Sequence, residues 1–111
     1  MFVPKGTYIV SSIAMKIKVT LRGDGPTSTY LKSNHSGDGL TMTSVINSSV
    51  AVNTSVENLQ IWNTNVANNG GGYVDVGGTY VNLFNVRIQG FKYGVIFDQT
   101  ELATVRQCNM T

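Results

Sequence analysis

The sequence predicts an all-β chain whose strands wind into a solenoid of a few coils. Three observations carry this. First, Val, Thr, Asn and Gly together supply nearly half of the 111 residues. Val and Thr are β-branched and suit a pleated strand, while Asn and Gly tolerate the left-handed backbone of tight turns. Second, hardly any window carries the 3.6-residue apolar stripe of a surface helix. Third, the segments "VENLQIWN" (56–63), "LFNVRIQG" (83–90) and, more loosely, "LATVRQCN" (102–109) resemble one another. Superposing Leu59, Val86 and Val105 also aligns Asn58 with Asn85 and Ile61 with Ile88, with steps of 27 and then 19 residues. Unequal steps exclude a rigid pentapeptide or hexapeptide coil. They fit a helix of β-strands whose coils differ in length and absorb extra residues in loops.

Along the chain, "FVPKGTYIV" (2–10) and "VTLRGDGPTSTYLK" (19–32) read as opening strands, with Gly23 and Gly25 serving a tight turn. In 56–62 the period of two points Val56, Leu59 and Ile61 inward and Gln60 and Trp62 outward. Asn58 and Asn85 stand just before inward residues. They form a ladder at a bend, each amide bonding its neighbour, or else they are surface turn residues that match in an Asn-rich chain. The Asn- and Gly-rich "NTNVANNGGGYVDVGG" (63–78) is expected to be the loop that lengthens the first step. In 94–98, Val95 and Phe97 should point in, and Ile96 and Asp98 out. The third repeat fits least well, because alternation turns Gln107 inward and Cys108 outward; either a bulge precedes Cys108 or the register differs there.

Charge excludes more than it suggests. A formal net charge of +2, with 13% charged residues, comes without any Lys/Arg cluster interleaved with aromatics, so no nucleic-acid partner is expected. No run of 18 apolar residues exists, which argues against membrane insertion, and the first residues lack the pattern of a signal peptide. The single cysteine, Cys108, forms no internal disulfide and reads as a small apolar residue. His35 has no partner at metal-ligand spacing, so no metal site is expected. Arg22–Gly23–Asp24 spells an adhesion tripeptide, but at a strand end where its glycine serves the turn. "NNGGGY" lacks the Lys-Ser/Thr and following helix of a phosphate-binding loop. The four Asn-x-Ser/Thr triplets are expected by chance in this composition.

The phrases "VPKGTYIV", "IKVTLRGDGPTSTYL" and "GFKYGVIF" (90–97) resemble the right-handed parallel β-helix, a single-stranded solenoid, of the pectate-lyase superfamily, especially its bacteriophage tailspike and capsule-depolymerase branch. The likeness runs from Phe2 to about Asn109. It implies one partial β-helix domain over 1–111, made of early coils, with the family's N-terminal capping helix absent and the last strand lacking its successor. The chain is then an excised or split fragment, or a subunit completed by another chain. The resemblance further implies a location on a virion tail or outside the cell. It also implies a bacterial surface polysaccharide as partner, assembly as a homotrimer or with other coils of a longer chain, and a lyase or hydrolase activity in the complete form. Calcium enters only through the resemblance; no cofactor follows from the residues.

Long polysaccharides can lie along a solenoid flank, held by aromatics that stack on sugar faces and polar groups that meet hydroxyls. Trp62 is the first candidate, turned outward by alternation, or alternatively packed beneath the 63–78 loop; Tyr73, Tyr80 and Tyr93 follow. In the aligned repeats Gln60, Arg87 and Arg106 fall in one outward column, where the arginines pair with uronates of an acidic glycan or form a solvated face. Glycoside hydrolysis generally needs two carboxylates about 5–10 Å apart. Asp75 and Asp98 are the acids to examine, both expected to turn outward, although nothing in their spacing puts them on one face; the catalytic residues stay unknown. Two readings follow: a tailspike-like β-helix that binds and, when complete, degrades a polysaccharide, or a non-catalytic structural or glycan-binding module. The approach of Asp75 or Asp98 to another acid across the groove would separate them.

Overall fold

The computed structural model describes residues 1–11, 13–15, 18–35, 37, 40–43, 53–65, 67, 68, 70–76, 79–98 and 101–110. Its strands are β1 (Phe2–Val3), β2 (Gly6–Ile9), β3 (Ile13–Ala14), β4 (Thr20–Gly23), β5 (Thr29–Ser33) and β6 (Leu40–Thr43). They continue with β7 (Thr54–Asn63), β8 (Gly71–Val76), β9 (Thr79–Gln89), β10 (Tyr93–Asp98), β11 (Glu101–Arg106) and β12 (Asn109–Met110). Every strand pairing is parallel, and the described residues contain no helix. The strands form a parallel β-helix of about four turns, as the sequence predicts. One sheet orders as β1-β4-β7-β5-β2, with β9 on β7 and β11 and β12 on β9; the second orders as β10-β8-β6-β3.

Each coil contributes one inward residue per column, and like stacks on like. Val56 pairs with Leu83, Leu59 with Val86, and Ile61 with Ile88; all six are buried, as are Leu21 and Leu31 in the preceding coil. The 27-residue step from Leu59 to Val86 is therefore the coil repeat read from the sequence. At the bend inside β7 and β9 the backbone turns left-handed at Asn58 (φ 58°) and Asn85 (φ 53°). Asn85 Nδ2 donates to Asn58 Oδ1 at 3.0 Å. The ladder alternative is thus observed, at a conformation that Asn adopts more readily than most side chains.

A second bend repeats at equivalent places, where Lys18, Asn53, Tyr80 and Leu102 all have φ between 46° and 61°. Only one of these four residues is a type that favours such backbone, so the pattern is absent from the sequence. The Gly90 corner is tighter still. Its φ is 87°, and a Cβ there would come within 1.8 Å of the Asn63 carbonyl oxygen. This is the physical reason for the glycine that opens "GFKYGVIF", which carries the chain from β9 into β10.

Three expectations are corrected. The 63–78 segment is not one loop, because residues 71–76 form β8, between β6 and β10. Gly72 belongs to the strand's packing: a Cβ there would lie 2.2 Å from Ile88 Cγ2. The third repeat pairs differently, with Val105 beside Leu83 rather than Val86, and Met110 beside Ile88. The step is then 22 residues (88 to 110), Gln107 takes the left-handed bend (φ 52°), and no bulge is required. Cys108 packs against the apolar core. Finally, Asp75 is 0% exposed instead of outward.

The Asn-rich run that opens at residue 63 ties neighbouring coils together. Asn63 Nδ2 donates to Ser33 Oγ and to the His35 carbonyl, and Asn68 Nδ2 donates to the carbonyls of His35 and Gly37, all at 2.8–3.0 Å. Asn68 Oδ1 accepts from Gly70 N–H. These side chains satisfy carbonyls that no sheet ladder reaches.

Candidate glycan-binding face

The second half of the large sheet presents two outward columns. One runs Thr7, Tyr30, Gln60, Arg87, Asn109; the other runs Ile9, Lys32, Trp62, Gln89. The regular parallel ladder, with strands about 4.8 Å apart, makes the surface broad and shallow. Trp62 meets the edge of Tyr30 with ring centroids 6.5 Å apart. The Lys32 ammonium lies 4.8 Å from the Trp62 ring centroid, in the cation–π range. Gln60 Nε2 donates to Gln89 Oε1 at 3.1 Å. Trp62, Tyr30, Lys32, Arg87 and Gln89 are all half-buried, which holds their rings and stems in place while leaving surface for a ligand.

Of the residues singled out in the sequence, Trp62 and Arg87 belong to this face, Gln60 only partly. Gln60 is on the outer side but 4% exposed, so its amide orients Gln89 rather than reaching solvent. Arg106 is not in the column. The 22-residue step places it beside Phe84, with the guanidinium 5.1 Å from that ring, in the column Arg22, Glu57, Phe84, Arg106. Asn109 stands where Arg106 was expected, next to Arg87. Nε of Arg87 is buried without a hydrogen-bond partner. The two columns on the face carry two cations, Lys32 and Arg87, and no carboxylate.

Tyr30, Lys32 and Gln89 went unrecognised. The signal was present: Tyr30-Leu31-Lys32 matches Gln60-Ile61-Trp62 at a step of 30 residues. The insertion of residues 24–28 before β5 interrupts the likeness to the later repeats. The tripeptide Arg22–Gly23–Asp24 stands where that insertion begins. Arg22 Nε donates to Glu57 Oε1 at 2.6 Å, Asp24 Oδ2 accepts from Lys5 N–H, and Gly25 N–H donates to the Asn58 carbonyl at 2.7 Å. Arg22 and Asp24 of the tripeptide thus make contacts within the chain, and Gly25 helps hold the corner.

The expected acids do not face one groove. Asp75 lies beside Phe97 and Asp98 beside Val76 in adjacent strands, so alternation sends them to opposite sides of the sheet. Asp75 is inside with Tyr73, which is also corrected from an outward aromatic to a buried one. Burial pushes the Tyr73 phenol well above its usual value, and the nearby Asp75 charge adds to the rise. Tyr80 and Tyr93 are exposed as single rings, Tyr93 with Lys92 Nζ 5.4 Å from its centroid. Among the described residues no three His, Cys, Asp or Glu side chains gather as a metal site, and no helix is long and apolar enough to cross a membrane. No protein-family model matches the chain, and neither do any of the curated proteins or solved structures compared with it.

Proposed function

We propose that the chain is a polysaccharide-binding part of a tailspike-like β-helix, and that the Trp62 face holds an acidic glycan. The observation that carries this reading is the cluster of Trp62, Tyr30 and Lys32 on a flat outer sheet. A sugar ring stacks on the exposed part of Trp62, hydroxyls meet Gln89 and Asn109, and a uronate meets Lys32 and the exposed part of the half-buried Arg87 side chain. The absence of a carboxylate from the two columns favours an anionic polymer over a neutral one. Bacterial surface polysaccharide, encountered from a virion tail or outside the cell, is the class that the sequence resemblance supports. In this reading the complete protein cleaves the glycan it holds, and Asp75 and Asp98 are not its acid pair, because they occupy opposite sides of one sheet. A homotrimeric assembly rests on the resemblance alone.

Trp62 is the single tryptophan of the chain, so its fluorescence reports on this face alone. Titration with acidic capsular polysaccharides should shift and quench that emission, with binding weakening as salt rises. Neutral dextran should do neither, and Trp62→Ala and Arg87→Ala, titrated by calorimetry because the first removes the fluorophore, should each lower affinity about tenfold or more. Binding that leaves Trp62 emission unchanged and survives both substitutions would overturn the assignment.

A further inference from the structure

We propose that Lys32 gates the Trp62 platform: its ammonium covers the ring in the free protein, and a ligand carrying an anion draws it aside. Resting on the glycan reading above, the gate gives the face a way to tell an acidic polymer from a neutral one. Lys32 then sets specificity as well as supplying a cation.

Lys32 and Trp62 are register partners in β5 and β7. The ammonium lies over the ring, 4.8 Å from its centroid, where the negative face of the π-system attracts it. Tyr30 meets the same ring edge-on, at an interplanar angle of 61°, and Gln89 follows Trp62 in the same column. These three neighbours are not equally free to move. The Tyr30 hydroxyl is tethered, donating to the Thr27 carbonyl at 3.0 Å. Gln89 accepts from Gln60 Nε2 at 3.1 Å, and Gln60 is itself buried. The Lys32 ammonium has no such tie among the described residues. The ion pair there joins Arg22 to Glu57 in another column, and neither column beside Trp62 holds a carboxylate. Of the three, the ammonium is the one a ligand can lift away.

A half-buried ammonium on an aromatic face has given up part of its hydration for a weak attraction. A carboxylate offers it a charge-assisted hydrogen bond, roughly twice as strong as a neutral one. An acidic sugar beside Lys32 thus takes the ammonium off the ring, and the next sugar of the polymer stacks on the face laid bare. A neutral polymer offers the ammonium nothing and must displace it to reach the ring. Arg87 has a different part. It stands one strand and one column away from Trp62, with its Nε buried, and it attracts the anion without covering the platform.

Two substitutions separate charge from cover. Lys32→Thr removes both and suits a strand, whereas Lys32→Met removes the charge and keeps an unbranched stem over the ring. Trp62 remains in each, so acrylamide quenching of the free protein reads how open the ring is. The ligands are a uronate-containing capsular polysaccharide and the same polymer with its carboxyls reduced to alcohols. In Lys32→Thr, quenching should rise, and affinity for the acidic polymer should fall about fivefold or more. Affinity for the reduced polymer should rise about two- to fivefold. Lys32→Met should lose the same acidic affinity, with quenching and reduced-polymer affinity as in the wild type. Lys32→Ser replaces Lys32→Thr should the latter fail to fold by circular dichroism. Unchanged quenching or unchanged reduced-polymer affinity in Lys32→Thr would overturn the gate and leave the glycan reading standing. The same gains in Lys32→Met, or a wild type that binds both polymers alike, would do so too. A wild type that binds neither polymer would overturn both.

Discussion

Val56, Leu83 and Val105 occupy one inward column of the solenoid, with exposures of 0%, 1% and 40%. The first two are sandwiched between strands and the third has a coil on one side only. Nothing in residue type explains the difference: a valine is buried in one coil and open in another. In a solenoid each coil is covered by its neighbours, so burial reports stacking more than hydrophobicity. The middle of the molecule, β7 and β9, behaves as a core, and the outermost described coils are covered on one side only.

The comparison is broken most directly by truncating equivalent side chains. Leu59→Ala should cost about 3 kcal/mol in urea unfolding, whereas Val105→Ala should cost less than about 1 kcal/mol. Equal losses would mean that the outer coil is as well covered as the inner one. Next in size is the bend. Asn85→Ala removes the amide bonded to Asn58 and puts alanine at a φ of 53°, so about 2 kcal/mol should be lost. Gln107→Ala at the same bend of the last coil should change stability by less than about 0.5 kcal/mol.

A smaller effect appears in alkali. The Tyr73 phenol has its folded value raised above the ordinary value of about 10. It therefore favours the folded state fully below pH 10, and that contribution is lost as pH rises above 10, at up to about 1.4 kcal/mol per pH unit. Denaturant melts between pH 9 and 12 should show the slope in the wild type and one proton less of it in Tyr73→Phe. The same slope in both would remove Tyr73 from the account. Smallest of all, Arg22→Ala should cost under about 1 kcal/mol, because its bridge to Glu57 is largely solvated. A double-mutant cycle with Glu57→Ala measures it.

What could be read from the sequence divides along the same line. The 27-residue step, the inward Val56, Leu59 and Ile61, and the Asn58–Asn85 ladder were legible because β7 and β9 run unbroken through their bend with matched residues. The last coil was misregistered by three residues, because Val105 resembles Val86 as well as it resembles Leu83, and Gln107 replaces the marker Asn. Asp75 was misplaced for a different reason. A carboxylate within "GGYVDV" looks like an outward strand residue, and the parity that sends it inside with Tyr73 is set by the pairing of Leu40 with Tyr73 and of Tyr73 with Val95. The candidate face was half legible: Trp62 was visible as an outward aromatic, but Tyr30 and Lys32 were hidden behind the residue 24–28 insertion. Only pairing across coils brings them together.

The most direct test is residue-resolved amide hydrogen exchange. Protection should be strongest in β7 and β9 and weakest in β1, β2, β11 and β12. Uniform protection across all coils, or slow exchange confined to the end strands, would contradict this ordering.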